Sequence, residues 1–88
     1  IHRAFDVLAP YIVCGHIKDV RVEEEFILHI DECAPGEGIF DMETYLQRFE
    51  AACPDGYVLI EHLPDDRVPH ALSVVRAAAE RAQVAWKE

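Results

Sequence analysis

The sequence predicts an α/β fold in which short parallel strands alternate with helices. Continuous apolar runs at residues 11–14 and 57–60 are typical of strands buried on both faces, as parallel strands are. Amphipathic helical patterns lie before, between and after these runs, and such alternation favours a parallel sheet with helical crossovers. The predicted order is helix, strand, hairpin, helix, strand, helix.

The first elements are a helix and a buried strand. Apolar residues at positions 1, 4, 5 and 8 have helical spacing, and the pattern stops before Pro10. The apolar run at residues 11–14 follows and is predicted to be the first strand. Polar residues begin abruptly in the string GHIKD at 15–19, which should lie just beyond the end of that strand.

A β-hairpin is predicted in the loop after this strand. Residues 20–22 and 26–30 are predicted to be its two strands, and Glu23, Glu24 and Glu25 between them are expected to form a solvated tip. Pro35 and the glycines at 36 and 38 then predict a turn. The hairpin is therefore interpreted as an insertion between the first strand and the next helix.

Two amphipathic helices flank the second strand. The first should begin after Asp41, whose side chain can cap it, and end before Pro54, with apolar residues at positions 42, 45, 46 and 49 on one face. The second should run from Val68 to Trp86, with apolar residues at 68, 71, 72, 75, 78, 79, 82 and 86. The strand of residues 57–60 lies between them and ends at Glu61.

His16 and Glu61 each follow one of the predicted strands. Parallel strands joined by a right-handed crossover place their carboxyl ends on the same rim of the sheet, where catalytic residues gather in α/β folds. Imidazole and carboxylate are both ligands of divalent metal ions. The spacing therefore allows half of a metal site, and it equally allows a capping histidine beside a solvated glutamate.

The composition narrows the classes of partner. The chain has 8 Lys and Arg residues against 17 Asp and Glu residues, so its net charge is -9. This negative charge disfavours binding to the phosphate backbone of nucleic acid. No apolar run approaches the roughly 20 residues of a membrane span, so no membrane partner is expected. An odd number of widely spaced cysteines and the lack of a signal-like N-terminus predict a reducing, cytoplasmic location.

Three strings resemble a known superfamily. GHIKD at 15–19, PGEGIFD at 35–41 and YVLIEH at 57–62, taken in this order, resemble the closing section of the xylose-isomerase-like barrels. That superfamily includes sugar-phosphate isomerases and epimerases and the endonuclease IV-like repair enzymes. The resemblance implies that the chain is the C-terminal βαβα portion, the last two strand-helix units, of a (β/α)8 TIM barrel with a small hairpin insertion.

The resemblance also implies roles for individual residues. His16 matches a metal ligand, and Glu61 matches a residue that is both metal ligand and catalytic acid/base. Lys18 and Asp19 match positions that contact or orient substrate, with a strand-end ion pair as the alternative. Glu32 is a further candidate to reach the sugar, although a hairpin-edge carboxylate is an equal interpretation. The implied cofactor is a divalent ion, Mn²⁺ first, with Co²⁺, Mg²⁺ or Zn²⁺ as alternatives.

The expected function is that of part of a metal-dependent sugar-phosphate isomerase/epimerase, which moves a proton next to a carbonyl of a small sugar or sugar phosphate. A whole barrel takes about 250 residues. Residues 1–88 are therefore expected to form one partial domain, with the other metal ligands upstream of Ile1. The parent protein would be an enzyme. The chain alone would be inactive and would need the remaining barrel strands or self-association.

Two other functions remain open from the sequence. An endonuclease IV-like repair relative is opposed by the acidic balance, and by Ile30 and Glu32 at positions where that branch carries Asp and His. A non-catalytic α/β interaction fragment, which assembles with another chain, would keep the same strings. His62 should point away from Glu61 by strand alternation and is interpreted as structural.

Overall fold

A computed structural model describes residues 1–24, 28–61 and 63–86 as a mixed α/β structure. Within these residues there are three helices and four short strands. In chain order they are α1 (His2–Leu8), β1 (Cys14–Ile17), β2 (Asp19–Glu24), β3 (Leu28–Cys33), α2 (Met42–Ala52), β4 (Tyr57–Ile60) and α3 (Val68–Arg81). The α/β class predicted from the sequence is confirmed, while membership of a larger barrel stays a prediction.

The strands β1 and β4 form a parallel pair, as the sequence predicted. Cys14 lies opposite Tyr57 and His16 lies opposite Leu59. The chain between the two strands carries the hairpin and α2, and both strands point the same way. Their carboxyl ends therefore meet at one rim of this two-stranded sheet, which we call the carboxyl rim.

The core lies on one face of this sheet, between the strands and the helices α2 and α3. Ile17 from β1, Leu46 from α2 and Val75 from α3 are buried together at its centre. Small residues of α3 at positions 71, 78 and 79 are also buried, which lets the helix approach the sheet closely. Burial of this shared apolar surface is the main driving force for the fold.

The first strand begins later than the sequence predicted. Residues 9–11 form a 3₁₀ turn, in which Ile12 N–H bonds to the Ala9 carbonyl at 3.4 Å, and β1 starts only at Cys14. Pro10 lies in the first positions of this turn. Proline is tolerated there because an N–H at the start of a helix has no partner within the helix, so its absence costs no hydrogen bond. The prediction of a strand at residues 11–14 was therefore wrong, and His16 lies inside β1 rather than beyond it.

The parallel sheet is buried on one face only, so the prediction of strands buried on both faces was also wrong. In β1 exposed and buried residues alternate, and the two buried residues, Gly15 and Ile17, face the core. On the opposite face Tyr57 is 78% exposed and Leu59 52% exposed. An apolar run can thus form a strand with an uncovered apolar face, which we call the open face.

The predicted hairpin is present. β2 and β3 pair antiparallel, with Asp19 opposite Cys33 and Val20 opposite Glu32. The prediction that Glu23 and Glu24 form the tip was wrong, because both belong to β2 and pair with His29 and Leu28 of β3. Glu25 lies outside the described residues, as does His62. The turn predicted from Pro35 follows β3, and its Glu37 N–H bonds to the Ala34 carbonyl at 3.0 Å.

Helix α2 has the predicted bounds and cap. The Asp41 carboxylate accepts a bond from Thr44 N–H at 3.2 Å and a second from the Thr44 hydroxyl at 2.7 Å. These bonds hold the pKa of Asp41 below its ordinary value. Met42, Leu46 and Phe49 are buried along the predicted apolar face.

Helix α3 is shorter than the sequence predicted. It ends at Arg81, and Gln83 adopts a left-handed backbone conformation with φ of 58°. Val84 N–H then bonds to the Ala79 carbonyl at 2.9 Å, and its side chain packs against the core. The expectation of a helix to Trp86 was wrong because the usual stop signal, a glycine after the last turn, is absent here.

The fold has no disulfide bond: Cys14, Cys33 and Cys53 are all free thiols, and Cys14 is exposed. In the described part of the chain, no helix is long and apolar enough to cross a membrane. Packing of α2 and α3 on the parallel sheet, rather than cross-linking, therefore holds this part of the chain together.

Candidate metal centre

His16 and Glu61 lie side by side at the carboxyl rim. His16 lies opposite Leu59 in the β1–β4 register, and Glu61 follows β4 two residues later, on the same face by alternation. Glu61 N–H bonds to the Ile17 carbonyl at 3.1 Å, which extends the parallel ladder by one residue. As a result, His16 Nδ1 and Glu61 Oε1 are 3.8 Å apart.

Both side chains are accessible from outside. His16 is 50% exposed and Glu61 33% exposed. Two ligand atoms that share one metal ion at about 2.1 Å are themselves roughly 3.0 to 3.4 Å apart. The distance of 3.8 Å between Nδ1 and Oε1 is close to that separation. Because both side chains are accessible to solvent, small rotations can bring the two atoms to the shorter distance. The pair therefore fits a shared divalent ion in both chemistry and position.

The position of His16 depends on close packing between β1 and α2. A Cβ on Gly15 would overlap the Tyr45 hydroxyl and approach a ring carbon of Phe49 to 3.0 Å. Burial raises the pKa of Tyr45, and the backbone N–H of His16, close to the tyrosine oxygen, partly offsets that shift. Gly15 and Tyr45 thus fix the backbone that carries the histidine.

Lys18 and Glu32, two predicted substrate-binding residues, bind each other. Lys18 Nζ is 2.6 Å from Glu32 Oε1. The hydrogen bond to Glu32, with the nearby negative charges of Glu32 and Glu61, raises the pKa of Lys18 above its ordinary value. Lys18 is therefore a protonated group beside Glu61. The ion-pair interpretation of Lys18 has a structural basis, and contact with a substrate stays a prediction for both residues.

Asp19 is fully buried, with 0% of its surface exposed. Its carboxylate accepts four backbone N–H bonds of 2.8 to 3.0 Å, from Val20, Gly36, Gly38 and Phe40. This network ties the start of β2 to the turn before α2. In this arrangement Asp19 orients the loop at the rim, and a direct contact with a substrate would require the network to open.

The pair of His16 and Glu61 does not form a complete metal site by itself. Among residues 1–24, 28–61 and 63–86, no group of three or more His, Cys, Asp or Glu side chains is arranged to hold a metal ion. Structural and catalytic sites usually supply at least three protein ligands. Two donors at an open rim can therefore hold an ion weakly, and firm binding requires further ligands.

A pocket beside the rim was not predicted from the sequence. Arg21 in β2 and Arg67, just before α3, both approach Glu37 in the turn after β3. These residues are far apart in the chain, and none belongs to a spacing pattern. The only available signal was the scarcity of cations in an acidic chain, which does not show that two of them converge.

Searches of protein-family models, curated proteins and solved structures found no match to this chain.

Proposed function

We propose that this chain is the carboxyl-terminal part of a metal-dependent sugar-phosphate isomerase/epimerase built on a TIM barrel of the xylose-isomerase-like type. The observation that carries the proposal is the proximity of His16 and Glu61, at 3.8 Å, on the same rim of a parallel pair of strands. Three short strings of the sequence support the family. The proposal includes the reducing, cytoplasmic location that the odd number of widely spaced cysteines predicts.

In this proposal His16 and Glu61 hold a divalent ion, with Mn²⁺ favoured over Co²⁺, Mg²⁺ or Zn²⁺. When bound, such an ion stabilises negative charge that develops on a carbonyl oxygen. Glu61 moves the proton at the carbon beside that carbonyl, as a general base and then as an acid. Its exposed carboxylate at the rim is accessible to a small sugar.

The neighbouring polar residues orient the substrate. Lys18 and Glu32 present a linked cation and carboxylate beside Glu61, and groups of this kind bind sugar hydroxyls. Asp19 holds the adjoining loop through its four backbone bonds. The missing metal ligands and the second catalytic carboxylate would come from the remaining strands of the barrel, which would pair with the open edges of the β1–β4 sheet.

Titration with Mn²⁺ tests the metal assignment on the chain itself. We expect weak binding, measured by the electron paramagnetic resonance signal of free Mn²⁺, and a loss of at least about tenfold in affinity in His16→Ala and in Glu61→Gln. His70→Ala and Glu80→Gln are matched controls, since both residues are exposed on α3, and both should bind like the wild type. Equal binding by all five proteins would overturn the assignment.

A second candidate is a non-catalytic interaction fragment. The observation that favours it is the open face, where the side chains of Tyr57 and Leu59 are uncovered. An exposed apolar sheet face with two open edges favours association with another chain. Mn²⁺ binding that depends on His16 and Glu61 distinguishes the two functions, because an interaction fragment has no need of that pair.

A further inference from the structure

A pocket of about 400 Å³ lies between the hairpin and the segment that precedes α3. Its walls come from the hairpin, through Arg21 and Glu32, from Glu37 in the turn, and from the segment after Glu61 that carries Leu63 and Arg67. Glu32 is also the partner of Lys18 at the carboxyl rim. Glu32 therefore links the pocket to Lys18, which lies beside Glu61. The volume of the pocket falls in the range of small-molecule sites.

The two arginines of this pocket converge on one carboxylate. Arg67 Nη2 is 2.5 Å from Glu37 Oε1, and Arg21 Nη2 is 3.9 Å from Glu37 Oε2. The two guanidinium groups therefore flank a single anionic group, one on each oxygen. Guanidinium groups bind carboxylate and phosphate oxygens in the same geometry. Glu37 thus occupies the position that one edge of a tetrahedral oxyanion would take.

The side chains in and around the pocket leave a small positive excess. The lining holds Arg21 and Arg67 against Glu32 and Glu37, and Lys18, which pairs with Glu32 from outside the pocket, adds one further positive charge. The chain as a whole carries a net charge of -9. In such a chain, two cations that share one anion beside a candidate catalytic rim form a local site for a second anion. The carboxylates of Asp65 and Asp66 do not line the pocket.

We propose that this pocket binds the phosphate group of the substrate, with Arg21 and Arg67 as its ligands. Glu37 holds the two arginines in place when the pocket is empty. When phosphate enters, its oxygens replace the Glu37 carboxylate in some of the contacts with the arginines. This inference rests on the proposed function, because it assigns the phosphate of a phosphorylated sugar whose reacting carbons lie at His16 and Glu61. The anion site itself requires no metal.

The test uses inorganic phosphate and the complete chain, with EDTA present to remove metal ions. Binding is followed by the shifts of backbone amide signals in NMR, at about pH 8, where phosphate is mainly a dianion. Low salt, about 20 mM, preserves the electrostatic attraction. We expect saturable shifts at Arg21, Glu37 and Arg67, and weaker shifts for acetate at the same concentration, because acetate carries one charge.

Variants distinguish a specific phosphate site from attraction of phosphate by the net charge of the chain. Arg21→Gln and Arg67→Gln should each weaken phosphate binding by about tenfold, the loss of one charge-assisted contact. Glu37→Gln should tighten binding several-fold by removing the competing carboxylate. Arg81→Gln is the matched control, because Arg81 also pairs with a glutamate, Glu43 at 2.6 Å, and does not line this pocket. It should bind phosphate like the wild type.

The outcomes are separable from those of the Mn²⁺ titration. Absence of saturable shifts at the pocket amides of the wild type would overturn the phosphate site, even if Mn²⁺ binds at His16 and Glu61. Equal weakening by Arg81→Gln and Arg67→Gln would overturn it too, since net charge alone would then explain binding. Phosphate binding that depends on Arg21 and Arg67 supports the site, including the case in which the metal assignment fails.

Discussion

At the scale of single residues, the carboxylate of Asp19 organises the polar end of the molecule. It is fully buried, and its four backbone donors come from two segments that lie about 20 residues apart in the chain. The turn that supplies Gly36 and Gly38 is adapted to this contact. Gly36 has a φ of +90°, and a Cβ on Gly38 would overlap the Val20 carbonyl and the Asp19 carboxylate.

Replacing this carboxylate should destabilise the fold strongly. Asp19→Asn places an NH₂ group among N–H donors and leaves at least one buried donor unpaired. We expect a loss of about 2 to 4 kcal/mol in the free energy of unfolding, measured by urea denaturation at neutral pH. Asp31→Asn, at an exposed position of the same hairpin, is the control and should stay within about 0.5 kcal/mol of the wild type. Similar losses in both variants would refute the special role of Asp19.

At the scale of elements, the contact between β1 and α2 determines where His16 lies. Gly15 leaves room for the Tyr45 hydroxyl, whose oxygen lies close to the backbone N–H of His16. The sequence identified Tyr45 only as a member of an apolar helical face. Its polar contact with the neighbouring strand depends on the separation of strand and helix, which spacing along one chain segment does not contain.

A double-mutant cycle tests this contact. Gly15→Ala should cost about 2 kcal/mol or more in the free energy of unfolding, because the new methyl group overlaps the hydroxyl of Tyr45. Tyr45→Phe removes the overlapping hydroxyl, so the double variant should lose clearly less than the sum of the single losses. Additive losses in thermal or urea unfolding would show that the two residues are not in contact. Gly36→Ala combined with Tyr45→Phe provides a pair that should add, because a Cβ on Gly36 would meet Val74 rather than Tyr45.

At the scale of the whole molecule, the parallel sheet has a core face and an open face. The core face packs on α2 and α3, while Tyr57 and Leu59 of the open face have no cover within the described structure. In a barrel the open face would point to the interior. In the part of the chain that the structure describes it is exposed to water, and completion of the fold by further strands or by association stays a prediction.

Substitutions on the two faces should therefore differ in cost. Leu59→Ser, on the open face, should change the free energy of unfolding by less than about 0.5 kcal/mol in dilute solution. Val75→Ala, in the core, should cost about 2 kcal/mol. Denaturation at several protein concentrations, with sedimentation to follow the oligomeric state, checks both values. A large loss for Leu59→Ser that grows with protein concentration would mean that copies of the chain cover the open face.

The sequence by itself determined the order of the elements, the parallel pairing of β1 and β4, the hairpin and the cap of α2 by Asp41. These features follow from local periodicity and turn chemistry, which act over a few residues. It missed the late start of β1 after Pro10 and the early end of α3 at Arg81, since both depend on competing local conformations that nearby packing selects.

Only the tertiary structure decided what the rim contains. The sequence predicted His16 and Glu61 as neighbours, because strand direction alone brings them to one rim. The burial of Asp19 and the convergence of Arg21 and Arg67 on Glu37 join segments that are distant in the chain. Such contacts depend on how the hairpin and the last helix pack in three dimensions, and no spacing within one segment contains that information.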